Sequence, residues 1–523
     1  MSGGSTLARA GLTLTVAFLV ARLLGWLRVI VISTTFGLTR DLDAFYAAFP
    51  IPNLIFEIVA AGAIASAVIP ILAGLRATGE TDRAWHVAST ILNLMLVLVA
   101  ALAVLAALAA PLLVPLIAPG FTVEEQALTV ELTRVMLIGP VFLALGAVAT
   151  SILNASGRFA AAAMAPIAYN LALIAAPLLL ADTMGVYCLA LGVVAGSMVH
   201  FGVQILPMRR AGFRYAPRVD IGDRQARDAL VLMVPRAIGL TAGQLTFVVA
   251  TAVASGLGAG SVAAFSIAFS VFQIPLGVLG IPMGIVAMPT LAAHLARGED
   301  DRYVDLLTRA LRLLLWAVAP MTVLGIVLRQ EVAALLFQYG QIDMAAVALV
   351  AAPLGVLLLG LASESAVNVL ARAFYAARNT LIPVLAALVA VAVNCVLMVA
   401  LGTALGLPGM SLAIVIGSWI EFVLLLAVLR GRVRGFAVGG IARVGLAAFA
   451  AALVGGAAGW AVLAVLGGVI GPAPTAAGYL LELIAVSASG GALFLAISAA
   501  LRIPELPTMI RLMRDAVRRP AHP

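Results

Sequence analysis

The sequence predicts an all-α integral membrane protein of about fourteen transmembrane helices: two parallel pseudo-symmetric six-helix halves plus two C-terminal helices. Three observations carry this. First, the 523 residues are 64% hydrophobic and only 10% charged, with a mean hydropathy of +1.17. A soluble domain holds about 45–50% apolar and about 25% charged residues. Second, apolar runs recur along the whole chain, each near or above the roughly 20 residues that a bilayer crossing needs. Third, all 31 basic residues are Arg, and they collect in alternate gaps between the runs. Together these features exclude a soluble globular enzyme, a disordered chain and a collagen-like one. A net charge of +8 on a soluble protein would suggest nucleic acid. On a multi-pass membrane protein it reflects Arg retained on cytoplasmic loops, and no nucleic-acid partner is expected.

The elements follow in order. The N-terminal half, 1–208, carries apolar runs at 10–35, 44–74, 87–117, 130–153, 160–181 and 184–207. Arg22 and Arg28 interrupt the first run, which separates it from a cleaved signal peptide. Pro50 and Pro52 lack the N–H that a helix interior needs, so the second run is expected to break there. A helix broken within the membrane suits a gated transport path. The polar segment 209–228, with six Arg, reads as a cytoplasmic linker. The C-terminal half, 229–430, repeats the pattern at 229–255, 262–292, 308–328, 345–371, 381–405 and 408–429. Two additional helices, 441–468 and 476–501, fill 431–501, and 502–523 is a basic cytoplasmic tail. In that tail Met509, Met513, Ala516 and Val517 share one helical face and Arg511, Arg514 and Arg518 another. This pattern fits an interfacial helix or a solvated tail.

Twenty-five of the 31 Arg fall before the first helix or after an even-numbered one. The positive-inside rule then places both termini in the cytoplasm, in agreement with an even helix count. The halves share a faint repeat. Ala44-Phe45 and Ala48-Phe49 recur as Ala264-Phe265 and Ala268-Phe269, Asn53 as Gln273, and Arg22 with Gly25 as Arg236 with Gly239. Transporters built of such repeats bind substrate near the midplane between the halves and alternate access by rocking.

The chain lacks the groups an enzyme would need. His86, His200, His294 and His522 sit at helix ends or in the tail, and no HExxH motif occurs. Cys188 and Cys395 lie in apolar stretches without metal or disulfide spacing. Gly256, Gly258 and Gly260 mark a turn, because no strand precedes them. No metal or cofactor is therefore expected. What remains is a set of charges within membrane spans, which are costly and usually face a protein interior or a wet cavity. They are Arg22, Arg28, Asp43, Glu57, Arg134, Arg236, Glu364, Glu421 and Glu482. Snorkelling to an interface fits Arg134, Arg236 and Glu482 better than a buried role does, and an internal ion-pair network accounts as well as a transport role for Arg22, Arg28, Asp43 and Glu57. Arg22 and Arg28 lie six positions apart, so on a straight helix their side chains diverge by about 120°. Asp43 and Glu57 are fourteen apart, nearly one face of an ideal helix, with the two prolines between them.

Motif order adds a further inference. Ala21-Arg-Leu-Leu-Gly-Trp-Leu-Arg28 is followed by Asp43-Ala-Phe-Tyr-Ala-Ala-Phe49, Pro52-Asn53-Leu54, Ala118-Pro-Gly-Phe121 and Ile152-Leu-Asn154 with Arg158-Phe159. Then come Gly277-Val-Leu-Gly280 with Pro289, Leu336-Phe-Gln-Tyr-Gly340, and Phe374-Tyr375 with Asn379-Thr380 and Pro383. In order and spacing, from about 20 to 430, the chain resembles the MurJ (MviN) family of lipid II flippases in the MOP exporter superfamily. The resemblance implies translocation of the undecaprenyl-diphosphate-linked peptidoglycan precursor from the inner to the outer leaflet of the bacterial cytoplasmic membrane. It implies no cofactor, coupling to the membrane potential or a cation, lipid II and membrane lipids as partners, and a monomer. Substrate-binding residues on this reading are Arg28, Arg22, Asp43, Asn53, Glu57 and Arg236. The sequence departs from the family pattern at Val29, where an acidic residue is usual, and at Ile55, Phe56 and Glu57, where an Arg is usual. It departs again at Phe269-Ser270, where an Asp-Arg pair is usual. A related MOP-type exporter of another lipid-linked glycan or of drugs, or a non-transporting scaffold, stays open as an alternative.

Overall fold

A computed structural model of the chain describes residues 3–59, 63–217, 220, 222–433, 435–470 and 475–518. Among the described residues every regular element is helical. The chain is an all-α integral membrane protein, and its described residues hold eleven helical spans long and apolar enough to cross a bilayer, three of them built of two consecutive helices. Leu108, Leu112 and Leu116, one turn apart on a single face, are 71–75% exposed, as a lipid-facing stripe requires. The helices pack as two compact units, Met1–Ala263 and Ala264–His522.

The first unit opens with α1 (Gly3–Phe36), α2 (Arg40–Ala48), α3 (Pro50–Val59) and α4 (Ala63–Ala77). The Thr39 hydroxyl accepts the Leu42 N–H and starts α2. Pro50 has no N–H to continue the ladder, and the last bond of α2 tightens to Phe49 N–H donating to the Tyr46 carbonyl. The second apolar run is thus broken at its prolines. Next come α5 (Thr81–Ile117), α6 (Val123–Met136), α7 (Ile138–Ala155), α8 (Phe159–Met184), α9 (Tyr187–Arg210) and α10 (Arg224–Ser255).

Lipid is as apolar as Leu, so helix association rests on close packing and interhelical hydrogen bonds. Helices α8 and α9 form a hairpin. A Cβ at Gly192 would lie 2.7 Å from the Ala176 side chain, so a larger residue there would force the two helices apart. The polar segment after α9 is strapped to α5. Asn93 Nδ2 donates to the Ala216 carbonyl, the Tyr215 hydroxyl donates to Asn93 Oδ1, and Phe213 meets Trp85 edge-on. Beyond it, α10 packs on α3, α4 and α5 of the same unit.

The second unit begins at Ala264 within α11 (Ser261–Pro275), whose first three residues belong to the first unit, and continues with a π-helical turn over Leu276–Gly280 and α12 (Ile281–Ala296). After these come α13 (Asp300–Val327), α14 (Arg329–Phe337), α15 (Met344–Leu357), a 3₁₀ turn over Leu358–Gly360, and α16 (Leu361–Ala376). The π turn interrupts the helix just after Pro275, whose missing N–H loosens the ladder. Both segments of the sequence repeat, at 44–59 and 264–280, are therefore discontinuous helices. The 52-residue α17 (Leu381–Arg432) folds back at Gly406, whose φ of +66° suits glycine. Each arm is long enough to cross a bilayer, which is consistent with about fourteen helices. Helices α18 (Val438–Ile470) and α19 (Ala476–Ala500) cross at Gly455 and Gly490, so closely that a Cβ on Gly455 would stand 2.5 Å from the Gly490 carbonyl oxygen. The tail forms a helix, α20 (Glu505–Arg518), with Leu506 and Met509 against the cluster of Trp316, Phe494 and Ile503.

Candidate functional site

In the first unit α1 runs without a break through Gly25 and packs along α8. Gly25 lies against Asn170 of α8; a Cβ there would stand 3.8 Å from Asn170 Oδ1. Asn170 Nδ2 donates to the carbonyls of Pro166 (2.9 Å) and Ala21 (3.4 Å), while its buried Oδ1 has no partner among the described residues. Arg22 and Arg28 flank this contact, three positions to either side, and diverge as the straight helix requires. Arg22 is exposed and Arg28 half-buried. The Arg28 guanidinium lies close enough to act electrostatically on the hydroxyls of Tyr46 and Tyr169, both half-buried. Among the described residues no ion pair involves Arg28. The cluster is a cation flanked by two phenol hydroxyls, a donor set that suits an anionic phosphate; the Asn170 amide hydrogens are already given to backbone carbonyls.

Asp43 sits elsewhere. It is fully buried, and its carboxylate accepts the backbone N–H groups of Gly260 and Ala263. Phe45 and Phe49 stack edge-to-face beside it at 4.9 Å between centroids. Asn53 is exposed on α3, and Glu57, one turn later on the same face, is half-buried. Ile55 and Phe56 turn the other way and join the apolar core of the unit. The Arg236 position lies in α10, but its side chain is outside the described residues. The structure thus gathers Arg28 with Tyr46 and Tyr169, and holds Asp43 in a separate backbone contact. Tyr46, Tyr169 and Asn170 were not among the residues expected from sequence. The single amide inside the 160–181 run was the one available signal.

The second unit carries its own polar group. Ser363 and Ser418 share a hydrogen bond of 2.7 Å, and the carboxyl groups of Glu364 and Glu421 lie near enough to interact through charge. Ser270 Oγ donates to the Ser266 carbonyl and Phe269 meets Phe272, so neither contributes a cation. An apolar cavity of about 420 Å³ lies within this unit, lined by Pro275, Pro320, Leu324, Leu354, Leu483 and Ser487.

The family model described as "Lipid II flippase MurJ" matches residues 32–471. The chain belongs to the MurJ family of lipid II flippases. The lipid II flippase MurJ of Burkholderia cenocepacia is 30% identical over 436 residues, covering 82% of this chain and 84% of the relative. A probable lipid II flippase MurJ of Rhizobium tropici is 30% identical over 440 residues, covering 82% and 81%. Among solved structures, a lipid II flippase MurJ in an inward closed conformation superposes with a TM-score of 0.76 at 20% identity. That match covers 93% of this chain and 98% of that one. An inward-facing multidrug resistance MATE transporter of the MOP superfamily superposes at 0.64 with 18% identity, covering 81% and 95%. These likenesses establish a shared fold. The MurJ family is a transporter family rather than an enzyme family.

Proposed function

We propose that the chain translocates lipid II from the inner to the outer leaflet of the bacterial cytoplasmic membrane by alternating access. Family membership across residues 32–471 carries this reading. The half-buried Arg28, with Tyr46 and Tyr169, supports it at the level of chemistry: a diphosphate needs a cation and hydroxyl donors in a poorly solvated place. Arg28 is the principal diphosphate contact, with Arg22 and Asp43 in support, Asp43 through the backbone turn it holds at Gly260–Ala263, and with Asn53, Glu57 and Arg236 around the headgroup path. The apolar cavity of the second unit, on the α19 side, suits part of the polyprenyl tail. The Arg distribution supports both termini facing the cytoplasm. The protein works as a monomer without a cofactor. One charge moved across the membrane is worth about 2.3 kcal/mol per 100 mV, so the membrane potential suffices to bias the cycle.

Arg28→Ala tests this reading. It should abolish rescue of a strain depleted of its own lipid II flippase while protein levels stay unchanged; full rescue would reject Arg28 as the contact. A second reading, export of another lipid-linked glycan or of drugs, is favoured by one observation. Phe56 and Ser270, where the family usually has Arg, pack into apolar or helix-internal contacts. Failure to complement lipid II export together with gained drug resistance would decide for it.

A further inference from the structure

We propose that the Arg158–Arg210 end of α8 and α9 is a binding site for the phosphodiester headgroup of an anionic phospholipid, separate from the transport path. A pocket of about 400 Å³ opens there, lined by Gly157, Arg158, Phe159, Ala161, Pro207 and Arg210. That volume falls within the range of small-ligand sites. Both guanidinium groups are exposed, and no carboxylate lines the pocket. An Arg158 Nη donates to the Arg210 backbone carbonyl at 2.6 Å, which holds the Arg158 guanidinium at the end of α9 and occupies one of its five N–H donors. The remaining donors suit forked contacts with phosphate oxygens.

The surface next to the pocket decides what kind of phosphate it takes. Met164 follows Ala161 by one turn of α8, and Val203 and Leu206 precede Pro207 and Arg210 by one turn of α9. These three side chains are 51%, 39% and 55% exposed. A cationic pocket therefore continues into an apolar strip on the same two helices. A free phosphate would use only the first part; a phospholipid places its phosphate on the guanidinium groups and an acyl chain along the strip. Basic pockets between transmembrane helices at the Arg-rich side recognise anionic headgroups in this way.

Native mass spectrometry of the full-length protein in detergent tests the site. Phosphatidylglycerol, phosphatidylcholine and inorganic phosphate are titrated against wild type, Arg210→Gln, the Arg158→Gln/Arg210→Gln double variant and, as a control, Arg309→Gln. Arg210→Gln keeps the backbone carbonyl that Arg158 uses, and a melting curve on each sample shows that the fold is intact. The wild type should retain one phosphatidylglycerol more tightly than phosphatidylcholine. Each guanidinium removed should weaken it about fivefold, and inorganic phosphate should fail to displace it. Arg309→Gln should leave retention unchanged. Equal retention of the two lipids, or undiminished phosphatidylglycerol binding in the folded double variant, would overturn the proposal. Displacement by millimolar phosphate would overturn its lipid part, reducing the pocket to a free-anion site. Rescue by Arg28 variants bears on none of these outcomes.

Discussion

The carboxylate of Asp43 accepts the backbone N–H of Gly260 at 2.6 Å and, with its second oxygen, that of Ala263 at 2.8 Å. It acts as a side-chain cap on the first turn of α11, where the exposed amides and the helix dipole favour a negative charge. The position excludes water, so removing the acceptor strands two donors, and each unmade buried bond costs about 1–3 kcal/mol. Asp43→Ala should therefore lower the unfolding temperature in detergent. Asp43→Asn should lower it less, because its amide oxygen still accepts one N–H. Transport lost in Asp43→Ala with an unchanged melting curve would instead assign Asp43 to the substrate.

Tyr46 and Tyr169 offer a sharper test of the anion site than the arginine alone. Phe at either position keeps the ring and its packing and deletes only the hydroxyl beside Arg28. A hydrogen bond to a charged group contributes about 1.5–3 kcal/mol. Tyr46→Phe and Tyr169→Phe should each slow appearance of labelled precursor in the outer leaflet by about tenfold or more. Melting curves should stay unchanged. Wild-type rates in both variants would show that the hydroxyls do not touch the headgroup.

The sequence announced the helices and their breaks unevenly, for physical reasons. Pro50, Pro52 and Gly406 leave local marks, since a missing N–H or a positive φ is a property of one residue. The π turn over Leu276–Gly280 leaves little trace, because its residues are as apolar as their neighbours. Arg22 and Arg28 stood out because any charge in an apolar run does. Tyr169 and Asn170 did not: an aromatic or one amide in such a run reads as core, and their meeting with α1 spans some 140 positions. Asp43 was visible as a buried charge, but its partner lies 217 residues away in a glycine turn. Only the fold could separate its role from that of Arg28.

Arg312 and Glu505 form a mostly buried ion pair at 2.7 Å that ties α20 to α13. Leu506 and Met509 dock beside it, leaving Arg511 and Arg514 exposed on the outer side. Breaking one partner of a buried pair typically costs about 3–5 kcal/mol because the other charge stays behind, whereas an apolar double replacement is often neutral. Glu505→Gln should release α20 and speed tryptic cleavage at Arg511 and Arg514. Arg312→Met with Glu505→Leu should restore protection. Equal cleavage rates in wild type and Glu505→Gln would show that Leu506 and Met509 hold the helix unaided.

Glu299, in the loop between α12 and α13, gives the protein an acid limb. The His294 ring nitrogen bonds its carboxylate at 2.6 Å and, with Arg297 and Arg302 nearby, holds its pKa below the ordinary 4.5. A depressed folded-state pKa means that the unfolded chain takes up the proton first. The stabilisation is therefore complete above about pH 4.5 and fades as pH falls through the lower folded value. Melting temperatures measured from pH 7 down to pH 3 should fall at the acid end for wild type. Glu299→Gln should start lower at pH 7 and fall less steeply, because it has no proton to gain. Parallel curves for the two proteins would show that other carboxylates set the acid limb.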